Sequence, residues 1–77
     1  PLIVLEDADL DAAVNAAAFG AFLNQGQICM STERIIVDDS IADEFVRRFA
    51  QKAKSLTCGD ATKQDVILGS VVDRDII

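Results

Sequence analysis

Histidine is absent from this 77-residue chain, and so are tryptophan and tyrosine. Without an imidazole the chain can build no His/Cys zinc site, no Ser–His or Cys–His nucleophile pair and no imidazole proton shuttle. Basic residues are scarce: seven Lys and Arg stand against 13 Asp and Glu, a formal charge of −6. A surface that tracks nucleic-acid phosphates needs a basic stripe, so this balance argues against DNA or RNA as a partner. The four aromatics are all Phe, a small set that argues against a base-stacking platform. Cysteine is limited to Cys29 and Cys58, far apart and without C-x-x-C spacing. A disulfide-stapled secreted domain normally carries four or more, roughly speaking, so two reduced thiols in a cytoplasmic protein are expected. No apolar run approaches the ~18 residues of a membrane span, and no basic region precedes Pro1-Leu2-Ile3-Val4-Leu5 as a signal peptide would require. The glycines at 20, 26, 59 and 69 never fall into G-x-G-x-x-G or a P-loop.

What remains is 51% hydrophobic and 26% charged, a globular composition. Domains usually run to about 100–150 residues, so this chain makes one small domain at most. It opens on a strand-like run and stops at Asp75-Ile76-Ile77 in mid-pattern, which suggests a piece of something longer.

Leu2 to Leu5 is a continuous apolar run, as in a strand buried on both faces of a parallel sheet. Asp9 can cap a following helix, with Asp11 in its first turn. Apolar residues at 10, 13, 14, 17, 18, 21 and 22 make a helical stripe. The other face, with Ala12, Ala16 and Phe19, is also poor in polar groups, so the spacing predicts a buried helix. Asn24-Gln25-Gly26-Gln27 ends it, with Gly26 suited to a left-handed conformation. Gly20, inside the helix, suits a close packing contact. A loop over 27–33 leads to a strand at Arg34–Val37. Ser40 and Asp43 resemble a capping box, and apolar positions 42, 45, 46, 49, 50, 53 and 56 mark one face of a second helix. Asp43 and Glu44 open that helix, while Arg47, Arg48, Lys52 and Lys54 come later, as its dipole favours. Residues 58–64 read as polar loop, 66–72 as an apolar stretch broken at Gly69-Ser70, and a further helix is expected from Asp73. Strands alternating with helices in the order β-α-β-α imply an α/β fold with a parallel sheet.

Cys29 sits in a small polar loop, with Asn24 to Gln27 before it and Ser31 and Thr32 after. Such a loop lets a thiol stand beside free backbone N–H donors. By residue type alone it is either an inert thiol or a nucleophile. The end of a helix just upstream disfavours an anion, so groups that would activate the thiol must come from elsewhere.

The string Phe22-Leu23-Asn24-Gln25-Gly26-Gln27-Ile28-Cys29-Met30-Ser31 resembles the cysteine signature of the NAD(P)-dependent aldehyde dehydrogenase superfamily. Pro1 to Asp11 is similar to the segment that follows the family's Glu-Leu-Gly-Gly-Lys motif. Arg34-Ile35-Ile36-Val37 and the helix over 41–56 match the elements after the cysteine. Leu68-Gly69-Ser70 resembles a downstream Leu/Gly-Pro step, with Ser70 in place of the usual Pro. The resemblance covers nearly all of the chain, and Ile28 to Arg34 looks most like the aromatic-aldehyde branch.

That resemblance implies a partial catalytic domain over residues 1–77, without the cofactor-binding domain. It makes Cys29 the nucleophile that attacks the aldehyde to give a thiohemiacetal, with the Cys29 N–H as part of the oxyanion site. Hydride transfer to NAD or NADP then leaves a thioester, which a glutamate-activated water hydrolyses to the acid. The family's glutamate and its asparagine oxyanion donor have no counterpart here. Asn24 is expected only to fix the loop through its side chain, and Glu33 and Cys58 to have no chemical role. Leu23, Ile28 and Met30 border the aldehyde pocket in the family, though ordinary core packing is an equal reading. The cofactor-binding residues stay unassigned, no metal is implied, and the parent would be a cytoplasmic homo-oligomer acting on a small aldehyde. The segment alone is expected to be inactive. A reading from another class is a folding or interaction module in which Cys29 is a structural thiol.

Overall fold

A computed structural model describes residues 1–60, 62, 63 and 66–70. Within them lie strand β1 (Leu2–Val4), helix α1 (Leu10–Phe22), strand β2 (Ile35–Val37) and helix α2 (Ala42–Ser55). The strands pair in parallel, with Leu2 opposite Ile35, Ile3 opposite Ile36 and Val4 opposite Val37. The expected α/β class is therefore what the chain forms. The expected helix from Asp73 and the apolar stretch beyond Ser70 lie outside the described residues.

Both helices pack on one face of this two-stranded sheet. Val4, Val14, Ala17 and Phe45 form the buried cluster, and Leu2, Leu10, Ile35, Val37, Ile41 and Phe49 pack against it. Burying a side chain of the Val or Phe kind stabilises by about 1.5–3 kcal/mol, so few residues carry this core. The other sheet face is uncovered: Ile3 is 63% exposed and Ile36 55%. Burial of β1 on both faces is therefore not seen, because alternate strand residues point to opposite faces and only one meets the helices.

Asp9 caps α1 as expected, its carboxylate accepting from the Ala12 N–H at 3.2 Å. The Ser40–Asp43 capping box does not form. A tight 3-10 turn over Asp39–Ile41 intervenes and puts Ile41 at the N-cap of α2, while the Ser40 hydroxyl donates to Asp38 at 2.7 Å. Asp38 also accepts from the Ser40 N–H at 3.0 Å. Those two bonds hold its carboxyl below the ordinary range.

Two links fix the helices against each other. Phe22 of α1 stacks on Phe49 of α2 with centroids 6.0 Å apart, and Phe49 stacks on Phe45 at 5.8 Å. Arg48 of α2 reaches Asp11 of α1 at 2.8 Å. The aromatic seam meets α1 at its C-terminal end, and that end carries the cysteine loop. Beyond α2, Thr57 O accepts from the Ile67 and Leu68 N–H groups at 2.8 Å each. Cys58, expected in polar loop, thus pairs through an isolated bridge with Leu68 of the expected apolar stretch.

Candidate active site

The chain leaves α1 through an unusual run. Asn24 (φ 52°), Gln25 (φ 59°) and Gly26 (φ 73°) are all left-handed. Gly26 was expected there; the two side-chain-bearing residues before it were not. Each non-glycine residue in this region costs about 1–2 kcal/mol, so the turn persists only because its surroundings hold it. The Asn24 carbonyl is one holding point, accepting from the Gln27 N–H at 3.1 Å and from Gln27 Nε2 at 3.3 Å. The Gln25 amide, oriented to satisfy both its ends, donates to the Asn24 carbonyl and accepts from the Gly69 N–H, each at 2.9 Å. Asn24 therefore acts through its backbone; among the described residues its side chain makes no hydrogen bond, contrary to the expected side-chain brace.

Cys29 and Met30 are the two central residues of the β-turn that follows. The Ser31 N–H closes it onto the Ile28 carbonyl at 2.9 Å, and the Ser31 hydroxyl accepts from the Ile28 N–H at 3.2 Å. One residue later the Thr32 N–H donates to the Gly20 carbonyl of α1 at 2.8 Å. The last carbonyls of a helix lack intrahelical partners, so the loop beyond the cysteine completes the end of α1. Gly20 makes this approach possible, because a Cβ there would run into the Thr32 Oγ1. The close-packing role expected of Gly20 is thus present, and its partner is the cysteine loop.

The result is an exposed, free Cys29 at the tip of a tight turn. Among the described residues its N–H is not engaged in a hydrogen bond. Beside it is a small cavity of about 130 Å³ lined by Phe19, Gly20, Leu23, Ile28, Met30 and Ser31. Leu23, Ile28 and Met30 are therefore brought together, and Phe19, 67% exposed, joins them. Sequence reasoning had placed Phe19 on the helix but not at the pocket; its spacing of one turn from Leu23 was the available signal. Met30 is 85% exposed, so packing within these residues does not account for it. Glu33 is exposed, and Cys58, also free, lies in the bridge to Leu68. Among the described residues no group of three His, Cys, Asp or Glu could hold a metal. Nor do they offer a glycine-rich turn between a strand and a helix of the kind that cradles a pyrophosphate.

The sequence pattern of the aldehyde dehydrogenase family matches residues 1–76. The chain belongs to the aldehyde dehydrogenase family. It is similar to a vanillin dehydrogenase of Pseudomonas fluorescens, 62% identical over 95% of this chain and 15% of that protein. It spans about 15% of the length of the curated relatives it matches. The crystal structure of a salicylaldehyde dehydrogenase from Pseudomonas putida G7, complexed with salicylaldehyde, superposes with a TM-score of 0.83. That match is at 63% identity over 87% of this chain and 14% of that one. An NAD-dependent benzaldehyde dehydrogenase from Corynebacterium glutamicum gives a TM-score of 0.84 at 48% identity, covering 97% and 16%. A glyceraldehyde-3-phosphate dehydrogenase from Methanocaldococcus jannaschii, complexed with NADP, gives 0.86 at 47%, covering 88% and 15%. Relatives of this segment thus include users of NAD and of NADP. No helix among the described residues is long and apolar enough to cross a membrane.

Proposed function

We propose that these residues are the nucleophile-bearing part of the catalytic domain of an oxidoreductase that converts aromatic aldehydes to carboxylic acids. The observation that carries this reading is the exposed Cys29 on a tight turn whose neighbours Ile28, Met30 and Ser31 line an apolar cavity. The Cys29 thiolate attacks the carbonyl carbon, forming a carbon–sulfur bond while the π-electron pair moves to oxygen. The Cys29 N–H, free among the described residues, donates to that oxygen where the charge develops. Phe19, Leu23, Ile28 and Met30 hold the apolar body of the aldehyde. Oxidising the adduct requires a two-electron acceptor, NAD or NADP in the family, and its contacts belong to chain outside these residues. The water-activating carboxylate also lies elsewhere, since Glu33 has no place in the turn.

An aromatic substrate is favoured by the identity margin. The vanillin and salicylaldehyde enzymes stand at 62–63%, above both the benzaldehyde enzyme at 48% and the glyceraldehyde-3-phosphate enzyme at 47%, so the margin rests on hydroxylated aromatic aldehydes. The cavity agrees, with Phe19 offering a ring face and no cation for a phosphate. Two free thiols fit a reducing, cytoplasmic setting.

Both cysteines are exposed, so exposure does not separate them; what distinguishes Cys29 is the tight turn whose neighbours line an apolar cavity. The test is Cys29→Ser in the full-length enzyme, with Cys58→Ser as control. We expect Cys29→Ser to abolish oxidation of benzaldehyde while the protein stays folded, and Cys58→Ser to be close to silent. Retention of more than about a tenth of kcat, only ~1.4 kcal/mol of barrier, would refute the covalent role.

A further inference from the structure

The turn that carries Cys29 is closed twice by one residue. A β-turn is ordinarily closed by a single backbone bond, here from the Ser31 N–H to the Ile28 carbonyl at 2.9 Å. The Ser31 hydroxyl adds a second, accepting from the Ile28 N–H at 3.2 Å. Both bonds join the same two residues and enclose Cys29 and Met30 between them. The second bond also occupies the Ile28 N–H, the donor just before the nucleophile, while the Cys29 N–H stays open among the described residues. Ser31 is half-buried and the only polar side chain among the residues lining the cavity, whose other walls are apolar. Immediately after it, Thr32 is tied to the Gly20 carbonyl, so Ser31 stands between the turn and its anchor on α1.

We propose that Ser31 is a positioning residue for the nucleophile. Its hydroxyl holds the turn in the shape that aims the Cys29 thiol and the Cys29 N–H at one incoming carbonyl. This rests on the reading of Cys29 as nucleophile. Without the hydroxyl, the Ile28 N–H loses its partner, the turn keeps only its backbone closure, and thiol and donor no longer keep a fixed relation. The loss falls on the step in which charge develops, because the apolar walls that hold the aldehyde are unchanged.

The experiment compares Ser31→Thr with Ser31→Val in the full-length enzyme. The two side chains have the same shape, and only one retains a hydroxyl. Single-turnover oxidation of benzaldehyde should be about tenfold faster for the Thr variant, with KM for benzaldehyde within about twofold between them. Ser31→Ala should resemble Ser31→Val, and all three should unfold at similar temperatures. Equal rates for Thr and Val, or a difference confined to KM, would overturn the proposal. Cys29→Ser is measured alongside. An active Cys29→Ser enzyme overturns the nucleophile reading itself. An inactive one together with equal Thr and Val rates overturns only the role of Ser31.

Discussion

Helices α1 and α2 are nearly equal in length, 13 and 14 residues, yet they end in opposite ways. α2 supplies its own electrostatic complement. Asp43 and Glu44 lie in its first turn and Lys52 and Lys54 in its last, each where the helix dipole favours it. Glu44 binds Arg47 at 2.5 Å and Arg48 at 2.7 Å on its surface. α1 has Asp11 in its first turn and no basic residue in its last. Its end is finished by other parts of the chain: Thr32 on the Gly20 carbonyl, Phe49 on Phe22. A helix that closes its own ends is a support. One whose end is closed by a distant loop fixes that loop in space, and here the loop holds the cysteine.

The largest expected disruption of this contrast comes at Gly20. In an ordinary helix interior, replacing Gly with a side chain-bearing residue recovers helix propensity, by about 1 kcal/mol for Ala. At Gly20 a Cβ would meet Thr32, whose own Cβ would lie 3.3 Å away. Gly20→Val should therefore destabilise the full-length enzyme by about 1–3 kcal/mol, the usual range for overpacking. It should also slow aldehyde oxidation if Cys29 is the nucleophile as proposed, because the displaced residue anchors the turn that carries Cys29. Thermal melts and steady-state rates measured together would check this. A variant that melted higher than the parent and kept its rate would show that the end of α1 is not held by Thr32.

Much of this contrast is legible in the sequence. The Asp9 cap, the dipole-ordered charges of α2 and the left-handed Gly26 are local matters, set by a few neighbouring residues. The resemblance in Phe22 to Ser31 singles out the loop around Cys29, and the structure gathers Leu23, Ile28 and Met30 into one cavity. The rest depended on contacts between segments remote in sequence. Asn24 carried a weak signal, since Asn tolerates left-handed backbone at helix ends; at Gln25 no such signal exists, and the conformation goes with the hydrogen bonds to Asn24 and Gly69. The Ser40 capping box failed because Ser40 lies inside a 3-10 turn, capped by Asp38, and Ile41 rather than Ser40 stands at the N-cap of α2. The uncovered face of β1 has a similar cause: an apolar run identifies a strand without saying which face will find a neighbour.

A second, smaller test concerns the start of the loop. Gly26 has φ +73°, and a Cβ there would lie 3.0 Å from the Ala21 carbonyl oxygen. Gly26→Ala should destabilise by about 1–2 kcal/mol through the left-handed backbone alone. Asn24 and Gln25 already bear that strain, so a third strained residue should tip the run toward other conformations and blunt Cys29 reactivity. Iodoacetamide labelling of Cys29 relative to Cys58, read by mass spectrometry, would report it. An unchanged labelling ratio with lowered stability would separate the turn before Gly26 from the turn that holds the thiol.

The smallest effect belongs to α2, where the contrast predicts a purely electrostatic and local response. The side-chain bonds from Arg47 and then Arg48 hold the Glu44 carboxyl at about 2, below its ordinary 4.5. A carboxylate depressed in the folded state adds stability above its unfolded value, and that contribution is lost as pH falls toward the folded one. Glu44→Gln should therefore lower the melting temperature slightly and by a constant amount above pH 4.5. The difference should narrow between 4.5 and about 2 and vanish below. Asp38 and Asp60 are also depressed, by hydrogen bonds from Ser40 and Thr62, but they titrate alike in both proteins and cancel from the difference. Because Glu44 lies on a solvated face, its effect should be smaller than that of either glycine change, with Cys29 activity untouched. A difference that persisted unchanged to pH 2 would mean that Glu44 acts by packing rather than by charge, and α2 would no longer be the helix that closes its own ends.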